Sequence, residues 1–280
     1  MHITKHIDWL SITFQTGADL QVIFPLLDWH YAGRGRFGYK WMYIDRTTGA
    51  SYQEGSSNDD MGVHLTLSGE TLNMLRSTFG GDDGKLAALL AKHHGYASRI
   101  DLTLNIHEGQ LTPRKVYSAV QTGSLKARTS TYRFIEGKKG NVSGDTLYLG
   151  APKSDRQFRA YNKAAELGIV DGQAWLRLEL ELRRLRAQGA FQSCAANGVV
   201  ETVNGHMGEF LQWNNREYQS ALSGPTVEPE EIPRRQSSRQ TWLLGQVAQA
   251  LAKEVWLNPE FRDIFNQSVD DSLDMLKSGG

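Results

Sequence analysis

The residues of this chain best placed to do chemistry lie on three stretches of strict two-residue alternation. In Arg99-Ile100-Asp101-Leu102-Thr103-Leu104-Asn105-Ile106, an extended backbone sends Arg99, Asp101, Thr103 and Asn105 to one face and the apolar residues to the other. In Arg177-Leu178-Glu179-Leu180-Glu181-Leu182-Arg183 the polar face holds Arg177, Glu179, Glu181 and Arg183. In Phe158-Arg159-Ala160-Tyr161-Asn162-Lys163 it holds Arg159, Tyr161 and Lys163. Strand propensities disfavour carboxylates. A sheet presenting Asp101, Glu179 and Glu181 together would concentrate hard oxygen ligands of the kind that select Mg²⁺ or Mn²⁺. The same alternation also describes a solvated antiparallel face on which Glu and Arg pair across strands.

A tyrosine hydroxyl, with an ordinary pKa near ~10, is a weak nucleophile at neutral pH. A divalent cation, a phosphodiester and nearby Lys and Arg would favour the phenolate and stabilise charge on the phosphate. The Arg159-x-Tyr161-x-Lys163 face suits that chemistry, although packing is the commoner use of a strand tyrosine. A phosphotyrosine link would also conserve the energy of the broken diester, so that a cut could be resealed. Other chemistry has little support. His93 and His94 are neighbours on a predicted helix and point about 100° apart, which does not chelate one ion. Gly33-Arg34-Gly35-Arg36-Phe37-Gly38 lacks the Lys-Ser/Thr of a nucleotide loop. With Arg34 and Arg36 it reads instead as a basic, nucleic-acid-contacting loop.

The elements that must carry these faces are mixed. Strands are predicted over Ile3–Phe14, Phe37–Asp45, Ser51–Glu54, Gly62–Leu67, Ser98–Ile106, Thr131–Glu136, Asp145–Gly150, Gln157–Lys163 and Trp175–Leu182. Helices are predicted over Ala18–His30, Glu70–Phe79 and Lys85–His94, with another opening at Pro113 behind a Thr112 cap. Without a regular βαβ rhythm, this is an α+β fold with a largely antiparallel sheet, flanking helices and a C-terminal helical appendage. Residues 1–222 form the chemical domain, 223–234 a Pro- and Glu-rich linker, and 235–280 a helical tail. The tail face carrying Trp242, Leu243, Val247 and Leu251 needs burial against the main domain, a second copy (a homodimer) or a host helicase.

The 280 residues carry no net charge, but the distribution is uneven. Thr112–Lys163 holds eleven Lys or Arg against three acids, a local net of +8. That segment could neutralise phosphates; Lys138, Lys139, Lys153 and Arg156 are its DNA-contact candidates, with Arg177 on the catalytic face. The longest apolar runs fall far short of a membrane span, and the N-terminus has no export core. A lone Cys194 suits a reducing cytoplasm.

The chain resembles the replication initiation factor family, which includes rolling-circle plasmid initiators of Gram-positive bacteria, relaxases of some integrative elements and replication proteins of some filamentous phages. The resemblance rests on ordered pieces. They are Ile7-Asp8-Trp9-Leu10-Ser11-Ile12-Thr13-Phe14, His64-Leu65-Thr66-Leu67-Ser68-Gly69 and Arg99–Leu104, then Leu147-Tyr148-Leu149-Gly150 with Lys153-Ser154-Asp155, Phe158–Glu166 and Trp175–Arg183. Together they span roughly residues 7 to 190. The resemblance implies metal-dependent nicking of one strand of origin DNA, single-stranded or hairpin, through a 5′-phosphotyrosine link. It implies Tyr161 as nucleophile, with Arg159 and Lys163 beside it, and Asp101 with Glu179, Glu181 or both as metal ligands. One departure stands out: Asn105 stands where family members often have a second acid. The two-histidine metal clamp of many other rolling-circle nickases does not occur in the chain. The competing reading is a phage or plasmid DNA-binding regulator on the same fold that has lost nicking.

Overall fold

Three long strands, β1 (His2–Phe14), β6 (Tyr96–His107) and β11 (Trp175–Arg183), lie side by side at the centre of one ten-stranded sheet. The structure is a computed structural model and describes residues 2–15, 19–56, 61–137, 144–169, 175–214, 216–229 and 248–278. Between the long strands run α1 (Leu20–Ile23), β2 (Trp29–Arg34), β3 (Tyr39–Asp45), β4 (Ser51–Ser56), β5 (Val63–Leu67), α2 (Gly69–Thr78) and α3 (Asp83–Lys92), then α4 (Pro113–Gln121), β7 (Leu125–Ala127), β8 (Tyr132–Ile135), β9 (Thr146–Leu149), β10 (Arg156–Asn162) and α5 (Lys163–Glu166). After β11 come α6 (Leu185–Asn197), α7 (Val199–Phe210), β12 (Leu211–Trp213) and α8 (Arg216–Ala221). The sheet order is β2-β3-β4-β5-β1-β6-β11-β10-β9-β8, antiparallel throughout, and β7 pairs separately with β12. The fold is α+β, as the alternation predicts.

The register follows from the leucine and isoleucine face. Ile100, Leu102, Leu104 and Ile106 of β6 lie opposite Leu182, Leu180, Leu178 and Leu176 of β11, and all are buried. Slipping either strand by one residue would send these side chains to the polar face, so the pairing is strongly specified. Helix α6 packs on β6 and β11, α7 on α6 and β1, and α4 on β9 and β10.

Several elements differ from expectation. The helix predicted over 18–30 is a single turn, α1, capped by the Asp19 side chain; beyond Pro25 the chain turns extended and Trp29–Arg34 pairs with β3. Helices α6 and α7 were not foreseen. The chain divides into two compact units, Met1–Glu230 and Glu231–Gly280. The Pro225 carbonyl accepts from Asn204 Nδ2 (2.7 Å) and Val227 N–H donates to the Glu201 carbonyl (3.3 Å), so the first part of the proline-rich stretch lies along α7. In the second unit, α9 (Ala248–Leu257) and α10 (Phe261–Ser278) are joined by a short turn at Asn258. Trp242, Leu243 and Val247 lie outside the described residues. Among the described residues no helix is long and apolar enough to cross a membrane.

The amino-terminal half of β1 is held by a buried ion pair. Strand β5 pairs with β1 only between Leu10 and Phe14, leaving that edge of β1 open further toward the N-terminus. There the Ile7 N–H donates to Asp83 Oδ2 (2.8 Å), and Arg76 Nη2 donates to the Ile7 carbonyl (3.2 Å). Arg76 also grips Asp83 through Nε and Nη2 at 2.8 and 3.0 Å. Asp83, 3% exposed, thus stands in for a missing strand neighbour. Asp83→Ala should cost about 3 kcal/mol or more, because it strands a backbone donor and a guanidinium together. The urea midpoint measures this; a loss below about 1 kcal/mol would show that the clip is dispensable.

Candidate active site

The site is the polar face of the four strands β1, β6, β11 and β10. Cross-strand register sets its rows: His6, Thr103, Glu179 and Arg159 in one, Thr4, Asn105, Arg177 and Tyr161 in the next, and Trp9, Asp101, Glu181 and Gln157 in the third. Asp8 enters through a β-bulge. Ile7 lies opposite Leu102 and Trp9 opposite Asp101, leaving Asp8 as the extra residue. Its carboxylate lies against the start of α2, where a Cβ on Gly69 would come within 2.8 Å of Asp8 Oδ1. Only glycine leaves room there.

Every carboxylate on this face is met by a guanidinium. Arg99 grips Asp101 in a bidentate fork (Nε–Oδ1 2.9 Å, Nη2–Oδ2 2.7 Å) and reaches Glu181 Oε2 at 3.2 Å. Arg183 closes on the other Glu181 oxygen. Arg159 Nη2 contacts Glu179 Oε2 and lies 3.6 Å from Asp101 Oδ2. Arg177 Nη1 binds Asp8 Oδ1 at 3.0 Å, and its Nε donates to Asn105 Oδ1 at 2.8 Å. Glu179, at 1% exposure, accepts the Tyr161 hydroxyl proton on Oε1 at 2.5 Å.

Burial shapes the proton affinities. It raises the Glu179 and Asp101 pKa values despite Arg159 and Arg99. Burial and the neighbouring Glu179 push the Tyr161 hydroxyl far above its ordinary value, so the phenol is neutral and its proton is aimed at a carboxylate. Burial lowers the His6 pKa, leaving the ring neutral near pH 7. Asp8 goes the other way: burial opposes its charge, but the hydrogen bond from His6 and the charge of Arg177 outweigh it, giving a pKa of about 2.

The alternation thus places Arg159, Tyr161, Asp101, Glu179 and Glu181 on one face. Lys163 opens α5 and pairs with Glu166 at 2.5 Å, its Nζ 5.9 Å from the centre of the Tyr161 ring. Other candidates lie elsewhere or play other parts. Arg177 is 5% exposed and belongs to the buried lattice. Arg156 lies opposite Leu182, on the helix-side face of β10, where it pairs with Glu209. Lys153 is exposed in the β9–β10 turn, and Arg34 and Arg36 are exposed around the β2–β3 turn. Lys138 and Lys139 lie outside the described residues. Sequence reasoning missed His6 and Asp8, although two polar residues one apart in a predicted strand were a usable signal. Two concavities flank the cluster. One, of about 930 Å³, is lined by His6, Asp8, Asn105, Lys163, Trp175 and Arg177; the other, of about 190 Å³, by Tyr148, Arg159, Tyr161 and Asn162.

The polar face of the central antiparallel sheet thus holds a partly buried tyrosine that donates to a buried carboxylate. Residues 96–221, from the first residue of β6 to the last of α8, match the family model described as replication initiation factor. Among solved structures, the chain is similar to the rolling circle replication initiator protein from Geobacillus stearothermophilus, with a TM-score of 0.62 and 23% identity over 81% of this chain and 93% of that one. At that identity the likeness establishes the fold. No curated protein matches the chain.

The Asp8 pair gives a pH signature. A carboxylate whose folded pKa is depressed from 3.8 to about 2 stabilises the fold above the unfolded pKa, and this is lost as pH falls through the folded one. The contribution is about 2 kcal/mol at neutral pH. Asp8→Asn should therefore be less stable than wild type at pH 7, with the gap closing between about pH 4 and pH 2 in urea titrations. A gap that stays constant to pH 2 would mean that the charge on Asp8 contributes nothing.

Proposed function

We propose that this protein is a rolling-circle replication initiator or related relaxase that nicks one strand of origin DNA with Tyr161. The observation that carries the reading is the Tyr161 hydroxyl donating to the buried Glu179 carboxylate, with Arg159 and Arg177 beside them. A phenol needs a base to act as a nucleophile at neutral pH, and a desolvated carboxylate of raised pKa is a suitable one. In the proposed step Tyr161 Oη attacks the phosphorus as its proton passes to Glu179 Oε1. The P–O3′ bond breaks, the departing O3′ takes a proton from solvent, and the 5′ phosphate remains on the tyrosine. Arg159 and Lys163 would neutralise charge building on the phosphate.

A divalent ion, Mg²⁺ or Mn²⁺, would add charge withdrawal at the phosphate; of the candidate ligands Asp101, Glu179 and Glu181, Asp101 and Glu181 would hold it while Glu179 serves as the base. The donors fit in kind: they are hard oxygens, and the Thr103 hydroxyl, next to Glu179 across the strands, is fully buried without a hydrogen-bond partner among the described residues. The carboxylates are gripped by arginines here, and among the described residues no three His, Cys, Asp or Glu side chains converge on one ion. Binding would therefore require the Arg159 or Arg99 contacts to yield.

Tyr161→Phe should reduce nicking of supercoiled origin DNA at least about a thousandfold while DNA affinity stays within about twofold. The product to look for in wild type is a nicked circle with protein on one 5′ end. Wild-type nicking by the phenylalanine variant would reject Tyr161, and DNA binding without any nicking by the native chain would favour the regulator. Excess EDTA, and separately Asp101→Asn, should each remove most of the activity; nicking that persists in EDTA would reject the metal.

A further inference from the structure

A third charged concavity lies on the opposite face of the sheet from Tyr161. It has a volume of about 260 Å³ and is bounded by Arg128, Arg156 and Arg186, with Thr129 and Thr131 on its wall. Arg156 shares the face of β10 that carries Phe158 and Ala160, whereas Gln157, Arg159 and Tyr161 share the other. Arg156 and Tyr161 are five residues apart, about 17 Å along a strand.

The charges in this pocket do not balance. Glu209 is shared by Arg128 (2.7 Å) and Arg156 (3.0 Å). Asp155, also on the wall, is taken by Arg184. Arg186, half-buried in the first turn of α6, has no carboxylate within 4.0 Å among the described residues. Burial and the neighbouring Arg156 and Arg128 lower its pKa, as crowded like charges should. The amino end of α6 adds to the excess, with neither a side-chain cap nor an acid in its first turn. Crowding guanidiniums is costly unless an anion offsets them. Forked donors and threonine hydroxyls around a small concavity suit a tetrahedral oxyanion.

We propose that the pocket of Arg128, Arg156 and Arg186 is a phosphate-binding site, separate from the nicking face. The phosphate belongs either to a DNA backbone or to a small phosphorylated molecule. The site does not depend on Tyr161 being a nucleophile, so it can fail or stand apart from the nicking reading.

The test compares full-length wild type with Arg186→Ala, and with Arg128→Ala as a second variant in case the first does not fold by circular dichroism. Thermal melts in inorganic phosphate, against chloride at matched ionic strength, read the small anion; anisotropy with a duplex oligonucleotide over a salt series reads DNA. Phosphate should raise the wild-type Tm, and loss of one guanidinium should weaken its apparent affinity about tenfold. If DNA supplies the phosphate, the slope of log affinity against log salt should also fall by about 1. A phosphate response altered with an unchanged DNA slope assigns the site to a small molecule; an altered slope assigns it to DNA. Variants that match wild type in both readouts would overturn the proposal.

Discussion

Burying carboxylates on the middle strands of a sheet is possible here only because each meets an arginine on the same face. Asp8, Asp101, Glu179 and Glu181 are matched by Arg99, Arg159, Arg177 and Arg183. Most of these guanidiniums touch more than one carboxylate, so the pairs merge into a lattice across β1, β6, β11 and β10. An isolated ion in that setting would cost several kcal/mol, whereas a paired and hydrogen-bonded one is tolerated. The lattice in turn depends on the apolar face behind it, because the leucine and isoleucine register decides which charges stand opposite one another.

Tyr161 is the neutral member of this lattice. It faces Arg177 across the strand pair, and its hydroxyl reaches the next row to Glu179. The acceptor is held from the far side by Arg159, so the hydroxyl and the carboxylate are fixed in one arrangement. The smaller of the two flanking concavities is lined by Tyr161 and leaves it reachable, although the carboxylate behind it is almost fully enclosed.

Much of this could be read from the sequence, and the failures have identifiable causes. Alternation with a period of two is a direct consequence of strand geometry, so the shared face of Asp101, Glu179, Glu181, Arg159 and Tyr161 was visible without a structure. The same parity separates Arg156 from Tyr161, but a count of basic residues pooled them. Asp8 follows the alternation of Thr4 and His6, but the bulge beside it sets it between two rows, and Arg177 read as a DNA contact because its partner is 169 positions away. Helix α7 was invisible for another reason. Val199, Val200, Thr202, Val203, Gly205 and Gly208 are poor helix formers, and the helix exists because Val199, Val203, Met207 and Phe210 are buried. Tertiary packing overrides local preference there.

The departure at Asn105 is accounted for by the same charge balance. Its side-chain oxygen accepts from Arg177 Nε and Trp175 Nε1, and its amide donates to Thr4 Oγ1. A carboxylate at this position could accept the first two bonds but could not make the third, and it would set five acids against four arginines on this face. Asn105 keeps the hydrogen bonds without adding charge, which leaves Arg177 free to neutralise Asp8. Asp8, on the same face at the bulge in β1, is the acid that Arg177 meets there.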